Sequence, residues 1–142
     1  MAYLNFLVSV PLAEVETLRD DPEAVITPSL SVVVSHLIAY WVQVQPLGQL
    51  LGRAIDGGAI INGALRHQLR DPCYHDPESV RARYAELTEA WQATSARPIA
   101  EDDWYRVEIE KVLRVFAHAA ERGDCVVSAL EPCHCIHFQS NK

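Results

Sequence analysis

Residues 101–130, EDDWYRVEIEKVLRVFAHAAERGDCVVSAL, decide the fold. Tyr105, Ile109, Val112, Phe116 and Ala120 recur at i, i+4, i+7, i+11 and i+15. That is one apolar stripe on a 3.6-residue period, so the spacing predicts a long amphipathic helix. Glu108, Glu110, Lys111, Arg114 and Glu121 fall off the stripe and are expected to face water. Glu101, Asp102 and Asp103 stand at its start, where carboxylates suit the positive end of the helix dipole. Gly123 is the expected stop, because glycine takes the left-handed conformation without a Cβ penalty. Residues 125–130, CVVSAL, then read as a short strand buried on both faces.

Working outward, Asp76-Pro77-Glu78 is a helix start: an N-cap aspartate, proline at the first position and an acid in the first turn. Val80, Tyr84, Leu87 and Trp91 supply its stripe, and residues 93–100, with Pro98, link it to the long helix. Leu47, Leu50, Leu51, Ala54 and Ile55 follow a helical period that stops at Gly57-Gly58. Residues 59–70 carry only a weak pattern and read as turn or short helix. Residues 29–44 are read as a buried helix on the stripe Leu30, Val34, Leu37, Trp41 and Val44, ended by Pro46, although Val32-Val33-Val34 lowers helix propensity.

Pro11 opens a short helix with Leu12, Val15 and Leu18 on one face, ending near Asp20. Residues 3–10 alternate, yet both faces are fairly apolar, which fits a central strand better than an exposed edge. Beyond Glu131-Pro132, residues 133–138 read as a last strand or a frayed tail. The expected fold is α+β: one domain over residues 1–142, with a small sheet formed by the N-terminal strand and the C-terminal strands, packed against several helices.

Composition narrows the function classes. The chain has 142 residues, 49% apolar and 22% charged, which suits a packed core and not a disordered segment. Its net charge of −7 argues against a duplex nucleic-acid partner, which needs a basic face. No positive residue precedes Arg19, so a secretory signal is not expected, and the apolar run at residues 30–44 is short for a bilayer. A cytoplasmic protein with no membrane contact is expected, with its 4 cysteines as free thiols or metal ligands.

Several features, in this order, resemble the YfbM-like family of uncharacterised bacterial proteins. A strand precedes a proline-led helix at residues 8–18, and a histidine stands in an aromatic-rich stretch, Ser35-His36-Leu37 through Tyr40-Trp41. Pro46-Leu47-Gly48 is followed by Gly57-Gly58, and PCYHDPESV at residues 72–80 forms a proline-turn-acid helix entry. The closing helix with Phe116, Ala119-Ala120, Gly123 and a valine strand is the best match. The resemblance spans residues 3–130 and leaves out the tail from Pro132. The family helix usually carries an aromatic beside its histidine, where this chain has Ser35. The resemblance implies a fold and no reaction.

Four groups of residues carry candidate chemistry. In an extended segment Cys133, Cys135 and His137 point the same way, and Cys125, or Cys73 with His75, would extend the set toward the four ligands zinc takes. Their C-x-C-x-H spacing lacks the C-x2-C knuckle of common zinc sites, and cores accept cysteine as a small apolar residue. Cys73-Tyr74-His75-Asp76 offers a thiol and an imidazole, but on a turn, with Asp76 already assigned to capping. His36, Tyr40 and Trp104 are the candidate binding residues, for a pocket between the histidine segment and the long helix; a satisfied core histidine is the plainer reading of His36. The acidic triplet at residues 101–103 needs no cation, because the helix dipole explains it.

There is no G-x-S-x-G, G-x-x-x-x-G-K, H-E-x-x-H or G-x-G-x-x-G motif. With no catalytic signature, the expected function is a non-enzymatic protein-binding module of inhibitor or immunity type, without a cofactor. Its acidic balance suits a basic protein partner. A zinc-binding or metal-sensing protein using the C-terminal cluster is the first alternative, and an unusual enzyme with a pocket near His36 the second.

Overall fold

The computed structural model describes residues 4–42, 45–63, 71–95, 103–131 and 136–138. β1 (Leu4–Val10) lies at the centre, antiparallel to β3 (Leu30–Ser35) on one side and to β6 (Cys125–Glu131) on the other. β5 (Cys73–His75) pairs antiparallel with β6, and β4 (Ala59–Ile60) completes the order β3-β1-β6-β5-β4. β2 (Val25–Ile26) and β7 (His137–Phe138) pair in parallel as a separate two-stranded sheet. The fold is α+β, and its main sheet joins the two ends of the chain, as the sequence predicts.

Because side chains alternate along a strand, Asn5, Leu7 and Ser9 share one face and Phe6, Val8 and Val10 the other. On the first face Leu7, Val32, Val34 and Val126 pack against α3 (Leu47–Asp56), α4 (Pro77–Ser95) and α5 (Asp103–Arg122). On the second, Val8, Val10, Val127 and Ala129 meet Val15 and Leu18 of α1 (Leu12–Asp20), together with Ile26 of β2 and Ile136, the residue before β7. β1 is covered on both sides, so its polar side chains Asn5 and Ser9 are fully buried and bond to the Ser128 hydroxyl and the Asp124 carboxylate.

The long helix forms where the stripe places it. Ile109, Val112 and Phe116 are fully buried, and removing a side chain such as Phe116 from water contributes about 1.5–3 kcal/mol. At its end Gly123 sits at φ 72°, and the Asp124 amide donates to the Ala119 carbonyl at 2.9 Å. This is a Schellman closure, and it satisfies a carbonyl the helix would otherwise leave open. The start of α4 is equally legible: the Asp76 carboxylate accepts from the Ser79 amide at 2.8 Å. All five apolar positions predicted for α3 are buried.

Four expectations are corrected. Residues 59–70 do not begin as turn or short helix: Ala59 and Ile60 pair with β5 as β4, while residues 64–70 lie outside the described residues. Residues 29–44 are not one helix. They form β3, a turn at His36 and Leu37, and the four-residue α2 (Ile38–Trp41), while residues 43 and 44 lie outside the described residues. Leu30 and Val34 share a face in a strand as well as in a helix, since four is a multiple of two and close to 3.6. Their spacing therefore did not discriminate, and the β-branched valines pairing with β1 decided for strand. Cys73 to His75 form β5 and not a turn. Glu108 does not face water; it is only 6% exposed. It lies three residues after Tyr105 and four before Val112, on the margin of the apolar stripe.

Candidate functional site

Most polar side chains of interest converge on the carboxyl end of α3. The last carbonyls of a helix have no partner within it and must find one elsewhere. Here the sheet supplies them. Nε2 of His75 lies 3.2 Å from both the Arg53 and the Ala54 carbonyl oxygens. The Ser128 hydroxyl donates to the Ile55 carbonyl at 2.7 Å, and the Cys73 thiol donates to the Gly57 carbonyl at 2.9 Å. Cys73, His75 and Ser128 share the helix-facing side of the sheet, since Cys73 is the register partner of Ser128 and His75 of Val126.

The contacts assign the protons. Both carbonyls near Nε2 of His75 are acceptors, so Nε2 carries the hydrogen and Nδ1 accepts from the Ser79 hydroxyl at 2.9 Å. Burial holds this imidazole below its ordinary 6.5, against the opposing pull of the Ala54 and Arg53 carbonyls. With both ring nitrogens engaged, His75 has no lone pair to offer Cys73, and the thiol–histidine pairing does not form.

A second chain of contacts runs through His36. Its Nδ1 lies 2.7 Å from Oδ1 of Asn5 and 3.5 Å from Oδ1 of Asp56. The Asn5 amide donates from Nδ2 to the Ser128 hydroxyl at 2.7 Å, and Ser128 passes its own hydrogen to Ile55. Ser128, His36 and Asp56 are the residue types of an acyl-transfer triad, but Asn5 stands between the serine and the histidine. The serine hydrogen points at a helix carbonyl and not at a base, so the arrangement activates no nucleophile. It ties β1, β6 and the turn after β3 to α3.

His36 and Tyr40 both border Asp56, but Trp104 is not with them. Tyr40 lines a shallow groove on the outer side of α3 with Gln49, Gly52, Arg53, Asp56 and Gly57. Trp104 instead packs against Trp41, ring centroids 4.6 Å apart and tilted by 51°, and meets Tyr105 edge-on at 5.0 Å. These three rings form an aromatic corner where α2 meets the start of α5, and Tyr40, the neighbour of Trp41 in α2, stands on the groove side of it. Tyr40 is 67% exposed, Trp41 41% and Val107 52%. Beside it the Arg106 guanidinium lies over the Trp91 ring at 5.6 Å. A cleft of about 380 Å³ between α3 and α4, lined by Pro46, Leu50, Arg53, Glu86, Glu89, Ala90 and Ala93, adds further concave surface.

Of the metal candidates, Cys133 and Cys135 lie outside the described residues, as does the side chain of His137. Cys125 is fully buried among apolar side chains of the second face. Burial and the neighbouring Asp76, Asp124 and Glu16 push its thiol up to about 12, away from the thiolate a metal needs. Among the described residues no group of three or more potential ligands comes together. Glu101 and Asp102 also fall outside the described residues.

Sequence reasoning passed over Asn5, Asp56, Ser128 and the exposure of Trp41. Asn5, Ser9 and Ser128 carried a signal: polar side chains at alternate positions of otherwise apolar strands have to find buried partners. Trp41 carried none, because exposure of a ring is set by what the rest of the chain leaves uncovered. No family model, no curated protein and no solved structure matches this chain.

Proposed function

We propose that this protein is a non-enzymatic recognition module that binds a basic protein partner through the aromatic corner of α2 and α5. The observation that carries the reading is the exposure of the neighbouring Tyr40 and Trp41, with the Trp41 ring packed against Trp104. Aromatic side chains held in position lose little entropy on binding and dominate protein interfaces. Trp104 holds Trp41 in this way, and Tyr105 meets Trp104 edge-on behind it. The net charge of −7 favours a basic partner by steering and complementarity. The occupied polar groups at the end of α3 support the same reading, since they cap a helix and leave no activated nucleophile. Membership of the YfbM-like family, on the resemblance at residues 3–130, belongs to the same proposal.

The test is comparative capture from the source cells with three forms of the chain: native, Tyr40→Ala/Trp41→Ala, and Glu16→Ala on the opposite helix. A partner in this sense is retained by the native and Glu16→Ala chains and lost with the double variant. It must also form a stoichiometric complex when purified, with a change in tryptophan emission. If no captured protein depends on Tyr40 and Trp41, the reading fails.

A further inference from the structure

The five-stranded sheet has two edges, and they are protected differently. β4 is only two residues long, which itself discourages pairing. β3 is six residues, LSVVVS, with no charge and no proline, a segment well suited to accept another strand. Alternate residues of an antiparallel strand turn their amides and carbonyls to opposite sides, and the Val33 carbonyl and Ser35 amide meet side chains outside the sheet, so Ser31, Val33 and Ser35 are the residues that point away from β1. Two of these outward groups are taken by side chains of α5. Nζ of Lys111 donates to the Val33 carbonyl at 3.2 Å, and the Ser35 amide donates to Oε1 of Glu108 at 3.0 Å. The two side chains are joined to each other, Nζ to Oε2, at 2.6 Å.

We infer that Glu108 and Lys111 act as an edge guard, standing where a neighbouring strand would be, and that β3 is a latent pairing surface for a second copy of this chain. A carboxylate carried almost entirely out of water is otherwise an unexplained cost on a helix with a free polar face. An ammonium on a carbonyl and a carboxylate on an amide reproduce the acceptor and donor of a sixth strand. They also place charges where a second strand would have to strip them of partners. With the guard gone, two copies of β3 can meet antiparallel about a two-fold axis, each offering the same outward groups.

The experiment compares particle mass by light scattering, over a concentration series, for the native chain and for Glu108→Ala/Lys111→Ala. The expected result is a particle of twice the native mass, with the Ser31 and Val33 amides newly protected from hydrogen exchange. Should that variant not fold, Glu108→Gln/Lys111→Met keeps an acceptor for the Ser35 amide and opens the Val33 carbonyl alone. It should show the same gain at higher concentration. A folded variant whose mass equals the native value up to its solubility limit overturns the inference. So does a dimer in which those two amides exchange as fast as in the native chain, because that dimer has formed through another surface.

Discussion

His75 and Cys125 show how burial, and not residue type, sets what a side chain can do. In the sequence His75 stands two residues from the Cys73 thiol, yet the structure makes it a neutral donor to two carbonyls of α3. Its folded-state pKa is lowered below 6.5 by burial. The unfolded chain therefore takes up a proton that the folded chain resists, so this residue's contribution is complete above about 6.5 and is lost as pH falls through that window. Urea midpoints at pH 7.5 and 5.5 should show a drop in the native chain and a smaller one in His75→Gln; equal drops would assign the effect elsewhere. Cys125, with its thiol pushed up to about 12, should resist alkylation at pH 8 in the folded protein and react in urea. Peptide mapping after labelling decides it.

At the scale of elements, local rules and packing agree wherever a glycine or a cap is involved. Gly58 and Gly123 both have positive φ, 104° and 72°. A Cβ at Gly123 would meet open space, so Gly123→Ala should lower stability only by the conformational cost, about 1–2 kcal/mol. A Cβ at Gly58 would meet the Tyr74 carbonyl, so Gly58→Ala should cost more than Gly123→Ala. Denaturant unfolding of the two variants reads the difference directly, and an inverted order would be incompatible with this packing. The capped start of α4, the Schellman end of α5 and the stripe of α3 were all legible because each depends on residues within two turns. β3 was not, because its identity depends on β1, some 25 residues earlier in the chain.

For the whole molecule, the described helices include none long and apolar enough to cross a membrane. The charge of −7 is a property of the entire surface, and it carries a kinetic expectation. Association with a basic partner should slow as salt shortens the range of the field, while dissociation changes less. Stopped-flow tryptophan emission at low and high salt measures both. An association rate indifferent to salt would leave the aromatic corner as the only recognition element.

Taken alone, the sequence determined the α+β class, the central N-terminal strand, the three longer helices and the glycine stops of α3 and α5. Periodicity, caps and glycines act over a few residues, and neighbours in the chain are enough to express them. Tertiary structure alone decided that residues 30–35 are a strand, that His36 meets Asn5 and Asp56, and that Trp104 joins Trp41. It also decided that Glu108 turns inward to an edge amide. Each of these rests on partners tens of residues away, brought together by strand register and helix packing, which no local pattern encodes.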